Sequence, residues 1–163
     1  YKGLDTLLKA VAILRNSDIS VKIAGEFWND KEDYLRLINN LGISDKVEIV
    51  DRYIPDDEIS LYFSWADLVV LPYKKTKISG IIATAYGYRK PVLVTDVGGF
   101  YEIVKDGSTG KIVPPDDPTS FADGIVWFLD NREIDFAHNI DEFTSKTMSW
   151  SSLVDMIEEY CTR

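Results

Sequence analysis

The segment SGIIATAYGYRKPVLVTDVGG, residues Ser79 to Gly99, carries the clearest information about the fold. It begins with serine, a residue favoured at helix N-termini, and its apolar first half predicts a helix running to about Tyr88. Val92-Leu93-Val94 follows and is apolar at every position, which is typical of a strand buried on both faces of a parallel sheet. The segment therefore predicts a helix, a buried strand and a glycine-containing turn at Gly98-Gly99.

The chain before this segment shows the same alternation of helices and strands. Leu7, Leu8, Val11 and Leu14 form one apolar stripe, which predicts an opening helix from Gly3 to Arg15. The pattern further predicts strands at Ile19–Ala24, Val47–Val50 and Leu68–Leu71, and helices from Asn29 to Leu41 and from Pro55 through Phe63. Strands separated by helices in this way indicate an α/β fold, a Rossmann-like doubly wound parallel sheet with helices on both faces.

The chain after Gly99 continues with shorter elements. The sequence predicts a helical turn at Tyr101–Val104, a strand at Lys111–Val113, and helices at Pro118–Leu129, Ile134–Lys146 and Ser149–Tyr160. A doubly wound fold normally has a strand before its first helix, whereas this chain opens on a helix. We therefore expect residues 1–163 to be a single domain, a fragment of a longer protein that lacks the first strand of its fold.

Composition restricts the classes of partner. With 163 residues and 45% hydrophobic content, the chain can bury one core of ordinary size. Its net charge of −9 argues against a nucleic-acid partner, because phosphate backbones require clustered lysine and arginine. No uncharged apolar run of about 18 residues occurs, so the sequence predicts no membrane span.

Cysteine and histidine are scarce. The single thiol, Cys161, cannot form an internal disulfide, which is typical of a reducing compartment. One cysteine and one histidine, His138, cannot build a structural zinc site. We expect no metal and no cofactor. We expect His138 to have a packing or surface role, since it lies on an amphipathic helix.

Ligands of open parallel sheets bind outside the carboxyl ends of the strands, so the candidate residues are those that follow each predicted strand. These groups are Gly25–Phe27, Asp51–Ile54, Pro72–Gly80 and Thr95–Gly99. Ser79-Gly80 is the most informative, because a helix that begins there presents free backbone N–H groups and a positive dipole end to a phosphate. An equally weighted alternative is that Ser79 only caps the helix.

Other features near this edge also allow two interpretations. Gly98-Gly99 could bring backbone close to a ligand or could be a mobile turn. Lys74, Lys75 and Lys77 form a basic cluster beside the phosphate candidate, although a solvated loop face explains them equally well. Trp28 is the best site candidate among the four tryptophans because it follows a strand end, whereas the others favour packing.

Several common activities lack their motifs. One histidine in a helical context cannot complete a Ser-His-Asp or Cys-His arrangement. The sequence also lacks the Gly-x-x-x-x-Gly-Lys-Ser/Thr phosphate loop of P-loop nucleoside triphosphatases and the Gly-x-Gly-x-x-Gly dinucleotide fingerprint. The sequence thus disfavours hydrolases, P-loop kinases and ordinary dinucleotide oxidoreductases.

The order of short motifs along the chain resembles the C-terminal half of GT-B glycosyltransferases. The resemblance is strongest to the large retaining family called glycosyltransferase family 4, or glycosyl transferases group 1. It covers nearly the whole chain through Lys2–Ala10, Ile23–Glu26, Asp45–Val47, Ile54–Ile59, Ala66–Pro72, Lys90–Gly99, Glu102–Val104 and Asp106–Pro115.

The resemblance implies a domain that binds a nucleoside diphosphate sugar as substrate, for retaining transfer of a hexose-type sugar. In the family, the base is cradled after the second and third strands, which corresponds to Gly25 and Glu26 and to Tyr53 and Ile54. Lys2 corresponds to a diphosphate ligand, and the helix that begins at Ser79, with Gly80, Ile81 and Thr84, faces the phosphates and ribose.

The missing N-terminal domain would hold the acceptor, a glycan or glycolipid, in polysaccharide or glycolipid biosynthesis. We therefore expect a cytoplasmic protein that reaches the inner face of the membrane, if at all, through that domain. No metal is implied.

Several positions depart from the family pattern, among them Ile78-Ser79, which replaces an aromatic-Gly pair. Many members carry two glutamates separated by seven residues, and here Thr76 and Thr84 occupy those positions. A hydroxyl cannot replace a carboxylate that accepts two hydrogen bonds, so no catalytic residue is assigned. Arg89 occupies the position of a family glycine. A non-catalytic GT-B-like partner or scaffold domain is therefore the alternative function.

Overall fold

The computed structural model describes residues 1–27, 31–77 and 79–147. The expectations for Trp28, for a helix start at Asn29, for a last helix at Ser149–Tyr160 and for the thiol of Cys161 lie outside the described residues. All statements below concern the part of the chain that the structure describes.

The predicted alternation of helices and strands is confirmed, and the element ends differ from the predicted ones by no more than two residues. The strands are β1 (Val21–Ala24), β2 (Val47–Val50), β3 (Val69–Leu71), β4 (Val92–Thr95) and β5 (Gly110–Val113). The helices are α1 (Leu4–Ile13), α2 (Lys31–Leu41), α3 (Asp56–Trp65), α4 (Gly80–Gly87), α5 (Phe100–Ile103), α6 (Pro118–Asp130) and α7 (Phe136–Thr147).

All described strand pairs are parallel, as the continuous apolar strands predicted. β1 pairs with β2 in the register Val21 to Val47, and β4 lies between β3 and β5 in the registers Val69 to Val92 and Val92 to Gly110. The strands therefore form two separately hydrogen-bonded groups, since no hydrogen bond between described residues joins β1 to β3. The sequence predicted one sheet, and the division is the main difference from that expectation.

The two strand groups nevertheless share one apolar layer. Ile23 of β1, Val70 of β3 and Leu93 of β4 pack in the same cluster, beneath α1, α2 and α6. The opposite cluster joins β3 and β4 to α4, α5 and α7 and is centred on side chains such as Ile82 and Phe100. The helices thus cover two faces of a Rossmann-like doubly wound arrangement, with β4 buried at every position.

Arg89, at the family's glycine position, has a φ of 55°. This left-handed conformation favours glycine, and a non-glycine residue adopts it at a cost of about 1 kcal/mol. The Arg89 Nε–H donates a bifurcated hydrogen bond to the two carboxylate oxygens of Asp141 of α7, at 2.9 Å to Oδ1 and 2.8 Å to Oδ2. The side chain thus gains a contact that a glycine could not make.

Two absences can be stated for the described residues. Among them no helix is long and apolar enough to cross a membrane. The same residues contain no group of three or more histidine, cysteine, aspartate or glutamate side chains arranged to hold a metal ion. His138, assigned to a packing or surface role from the sequence, is exposed on α7.

Candidate functional site

A cavity of about 680 Å³ runs between β1 and β3, from residues that precede these strands, such as Asp18 and Asp67, to the carboxyl edge, the edge at which the parallel strands end. Six of the nine side chains and glycines predicted as site residues line it: Gly25, Glu26, Tyr53, Ile54, Ile81 and Thr84. The other three, Lys2, Ser79 and Gly80, do not line the cavity. The fold therefore brings together the residues after β1, the residues after β2 and the first turns of α4.

Asp51 fastens the loop after β1 to the loop after β2. Its Oδ1 accepts a hydrogen bond from the Phe27 backbone N–H at 2.9 Å, and its Oδ2 lies 2.8 Å from Lys31 Nζ at the start of α2. The hydrogen bond from Lys31, and then that from Phe27, hold the pKa of the Asp51 carboxyl below its usual range. Gly25 and Glu26 are thereby fixed opposite Tyr53.

Arg52 fixes the loop after β2 in turn. Its Nη1 donates to the Tyr53 carbonyl at 3.2 Å and to Glu58 Oε1 of α3 at 3.1 Å, and Nη2 pairs with the other Glu58 oxygen. This pairing lowers the pKa of Glu58 and raises that of Arg52. The Tyr53 ring, which lines the cavity, remains 65% exposed and offers an aromatic surface on which a planar group could stack.

The start of α4 matches both interpretations of Ser79. The Ser79 hydroxyl accepts from the Ile81 N–H at 3.4 Å, a long capping bond that satisfies one first-turn donor. The neighbouring Gly80 is exposed, so the helix N-terminus is open to an anion. Thr84 Oγ1 donates to the Gly80 carbonyl at 3.1 Å, which leaves the Thr84 hydroxyl only acceptor capacity toward the cavity.

Gly3 brings the first residues of the chain against the loop between β3 and α4. Its φ is 66°, and a Cβ at this position would lie 1.8 Å from the Pro72 carbonyl oxygen, so only glycine fits. The adjacent Lys74 N–H donates to the Tyr1 carbonyl at 2.9 Å. Lys2 lies between Tyr1 and Gly3 in the chain, and its side chain is exposed beside this loop.

Gly98 supports this loop from the opposite side. Its φ is 56°, and a Cβ would lie 2.2 Å from the Thr76 carbonyl oxygen. The Gly99 N–H donates to the Lys77 carbonyl at 3.3 Å. The sequence left open a ligand contact or a mobile turn at these glycines, and the structure shows that Gly98 packs closely against the backbone of this loop.

Lys74 belongs to an ion-pair network at this edge. Its Nζ lies 2.9 Å from Asp116 Oδ1 and 3.1 Å from Asp5 Oδ2. The carboxylates of Asp116 and then Asp5 raise the pKa of Lys74, and their negative charges balance the charge of its ammonium group. The other two lysines of the basic cluster, Lys75 and Lys77, are exposed on the loop.

Sequence reasoning gave no individual role to the side chains that position the site, although the candidate group Asp51–Ile54 contains two of them. These side chains are Asp51, Arg52 and Asp116. Their partners are Phe27, Glu58 and Lys74, and the fold brings each pair together. The position of Asp51 and Arg52 directly after β2 was the available signal.

Sequence comparison relates this chain to one family. A family model described as "Glycosyl transferases group 1" matches residues 1–131. Alpha-D-kanosaminyltransferase of Streptomyces kanamyceticus is 31% identical over 135 residues, which cover 82% of this chain and 34% of that protein. An uncharacterised glycosyltransferase of Methanocaldococcus jannaschii is 35% identical over 159 residues, or 93% and 39%. This chain thus spans little more than a third of these relatives.

Structural comparison agrees on the fold. The crystal structure of Anabaena HepE in complex with UDP has a TM-score of 0.84 at 20% identity, covering 99% of this chain and 45% of that one. HepE has also been solved with UDP and glucose and with UDP-glucose. At this level of identity the likeness establishes the architecture alone.

Proposed function

Because this chain belongs to the glycosyl transferases group 1 family, we propose that it is the donor domain of a glycosyltransferase. On this proposal it binds a nucleoside diphosphate sugar and takes part in retaining transfer of a hexose-type sugar. The observation that carries the proposal is the cavity at the carboxyl edge, lined by Gly25, Glu26, Tyr53, Ile54, Ile81 and Thr84.

Each part of such a donor has a matching surface. The base would lie between Gly25-Glu26 and Tyr53-Ile54, against backbone and the exposed Tyr53 ring. The ribose would reach Thr84, whose hydroxyl has acceptor capacity left after bonding Gly80. The diphosphate would lie at the open start of α4 and beside Lys2.

The proposed catalytic contribution of this domain is electrostatic. Negative charge develops on the departing diphosphate, and a preformed helix N-terminus together with an exposed ammonium would stabilise it without reorganisation. Ser79, Gly80 and Lys2 are the groups assigned to this role. We propose that neither a metal nor another cofactor takes part, and that any general base comes from outside this domain.

The relatives support the wider proposal. HepE, which shares the fold, has been solved with UDP and with UDP-glucose, and relatives twice or more the length of this chain are transferases. We propose that a second, N-terminal domain holds the acceptor, a glycan or glycolipid. We further propose that the protein acts in polysaccharide or glycolipid biosynthesis in the cytoplasm, at the inner face of the membrane.

Titration of the full-length protein with UDP, GDP and ADP tests donor binding. The proposal predicts saturable binding of at least one of them, and failure of all three would refute it. Lys2→Ala should weaken binding of the diphosphate much more than binding of the matching nucleoside. Arg15→Ala, which removes an exposed charge after the end of α1, is the matched control and should leave both unchanged. Equal losses for the two ligands in Lys2→Ala would exclude Lys2 as a phosphate ligand.

A non-catalytic partner or scaffold domain is the second candidate. It is favoured by the hydroxyls of Thr76 and Thr84 at positions where many family members have carboxylates. Incubating the full-length protein with a radiolabelled sugar nucleotide and its candidate acceptors separates the two functions. Transfer of label supports the enzyme, whereas tight nucleotide binding without transfer or hydrolysis supports the partner domain.

A further inference from the structure

A second cavity, of about 280 Å³, lies at the amino edge, the edge at which β3 and β4 begin. Asp67 precedes β3, and Lys90 and Pro91 precede β4. Arg132, which follows α6, and Phe136, the first residue of α7, also line this amino-edge cavity. Its volume is close to the roughly 300 Å³ at which small-molecule sites begin. It thus lies at the opposite end of β3 from the proposed phosphate site.

The amino-edge cavity adjoins the larger cavity but is separate from the proposed donor site. Asp67 and Arg132 border both cavities, whereas Lys90 and Phe136 border only the smaller of the two. The residues that line the amino-edge cavity include none of the nine predicted to bind the donor. A ligand of this cavity is therefore independent of the proposed function.

Two cations of the amino-edge cavity lack a counter-ion among the described residues. Neither the Lys90 ammonium nor the Arg132 guanidinium forms an ion pair or a hydrogen bond there, although the chain has 27 acidic and 18 basic residues. Arg89, a third lining cation, is already paired with Asp141. Asp67 is the one carboxylate among the residues that the structure places around this cavity. Apart from the Arg89 pair, one positive charge is therefore in excess.

Lys90 is the cation with the greater need of a partner. It is half-buried, whereas Arg132 is exposed. An ammonium group that is partly removed from water without a counter-ion is unfavourable, and a bound anion would relieve this cost through a charge-assisted hydrogen bond. A single excess charge matches a carboxylate better than a phosphate monoester, which carries about −1.5 to −2 at pH 7.

Both cations lie on turns whose backbone is fixed. The Lys90 N–H donates to a carbonyl of α4 at 2.9 Å, and the Pro91 carbonyl accepts from the Val69 N–H of β3 at 3.0 Å. On the other turn, the Asn131 side chain donates to the Trp127 carbonyl of α6 at 2.7 Å. Because these turns are already ordered, binding of a ligand between them would cost little backbone entropy.

The remaining walls of the amino-edge cavity are apolar. Pro91 and Phe136 are buried, and Phe128 and Leu129 are half-buried. The rings of Phe128 and Phe136 lie 5.3 Å apart between centroids. A matching occupant therefore has an apolar body and one anionic group.

We propose that the amino-edge cavity binds a small carboxylate with an apolar body. Lys90 and Arg132 donate charge-assisted hydrogen bonds to the carboxylate, and the apolar body lies against Phe128 and its neighbours. The bound ligand joins the turn before β4 to the turn after α6.

Titration of the full-length protein with benzoate at constant ionic strength, followed by amide chemical shifts, tests the proposal. We expect saturable binding at millimolar concentrations, with large shifts at the Lys90 and Arg132 amides. Benzamide has the same ring without the charge, and acetate has the charge without the ring, so each should bind about 10-fold more weakly or less.

Three results of this titration would overturn the proposal. Acetate that binds as tightly as benzoate would show an adventitious ion only. Benzamide that binds as tightly would show an apolar pocket in which the cations have no role. Phenyl phosphate that binds more tightly than benzoate would assign the cavity to phosphates.

Substitutions in the full-length protein locate the bound carboxylate. Lys90→Met and Arg132→Met should each weaken benzoate binding about 10-fold, whereas Lys90→Arg keeps the charge and should retain most of the affinity. Arg15→Met removes an exposed charge after the end of α1 and is the matched control. Unchanged affinity in both cavity variants, or a loss in Lys2→Ala instead, would place benzoate elsewhere and overturn the proposal.

Thermal unfolding without ligand separates a binding role from a structural one. Lys90→Met removes a charge that has no described partner, so the midpoint should not fall. A midpoint lowered by several degrees would mean that Lys90 already has a stabilising partner in the full-length protein, contrary to the proposal.

Discussion

The Lys74 ammonium lies 3.1 Å from the Asp5 carboxylate, and this pair joins the loop between β3 and α4 to the first turn of α1. Asp116, 2.9 Å from the same ammonium, extends the contact to the turn before α6. One lysine thus holds three segments together at the carboxyl edge, next to the proposed phosphate site.

Replacing Lys74 should loosen this junction. Lys74 is partly exposed, so Lys74→Met is expected to destabilise the protein by only about 1 kcal/mol, or about 2–4 °C in thermal midpoint. Because the loop leads to Ser79, nucleoside diphosphate binding should weaken as well, which isothermal titration can measure. Lys75→Met removes an exposed lysine from the same loop and should change neither quantity. Equal effects of the two substitutions would contradict the positioning role.

The same network predicts a pH dependence of stability. Partial burial raises the pKa of Asp5, but the hydrogen bond and charge of Lys74, with a smaller effect of Lys9, outweigh it and lower the pKa below the usual 3.8. Because the pKa of Asp5 is lower in the folded state, the ionised carboxylate stabilises the fold above pH 3.8. This stabilisation is lost as the pH falls from 3.8 through the folded-state pKa.

Urea unfolding between pH 5 and pH 2 provides the measurement. Asp5→Asn should lower stability at neutral pH and flatten the decline below about pH 4, where the folded wild type loses its contribution. Asp123→Asn, on an exposed position of α6, should preserve the wild-type slope. At alkaline pH, stability falls as the pH rises. Because the pKa of Lys74 is raised, its contribution to stability is fully present below pH 10.5 and is lost as the pH rises through the folded-state pKa.

Gly98 should not tolerate a side chain. In Gly98→Ala the new Cβ would meet the Thr76 carbonyl, and φ is 56°, so the loop must move or the backbone must change. We expect a loss of about 1–3 kcal/mol in unfolding free energy and weaker nucleotide binding. Gly87→Ala is the control, because its Cβ meets nothing within 4 Å at the end of α4 and alanine favours helix. A neutral Gly98→Ala variant would refute the close-packing account.

Asp51 should influence ligand binding without touching the ligand. Asp51→Ala removes the acceptor for Phe27 and the partner of Lys31, so the loops that carry Gly25 and Tyr53 become more mobile. We expect the affinity for a nucleoside to fall by about the same factor as that for its diphosphate, since both contain the base. A loss confined to the diphosphate would place the effect of Asp51 elsewhere. Affinities from isothermal titration decide between these outcomes.

Thr84 offers a direct test of ribose contact. Thr84→Val keeps the shape of the side chain and removes the hydroxyl, so we expect ribonucleotide affinity to fall roughly 3- to 10-fold. Thr84→Ser retains the hydroxyl and should preserve most of the affinity. If the 2′-deoxy and 3′-deoxy ligands lose the same factor in the wild type and in Thr84→Val, the hydroxyl does not bind ribose.

The sequence by itself determined the order and kind of the secondary structure elements. A periodic apolar stripe predicted α1, and the apolar run Val92–Leu93–Val94 predicted a buried parallel strand, because these signals depend on local burial and propensity. Motif order also predicted the family to which the chain belongs.

The cavity could be anticipated only in part. Knowing that ligands bind after the strands of a parallel sheet selected Gly25, Glu26, Tyr53 and Ile54, and these do line one cavity. The roles of Gly3 and Gly98 as close-packing positions could not be read from their neighbours in sequence, since their contacts are with Pro72 and Thr76.

Tertiary structure alone decided how the edge is held together and where the sheet is open. The pairs Lys74–Asp5 and Asp51–Phe27 join residues 69 and 24 positions apart, and such contacts depend on distances that no local pattern encodes. Which strands pair was likewise decided only when the strands were placed in space, because pairing is a property of neighbouring strands and not of either strand's own residues.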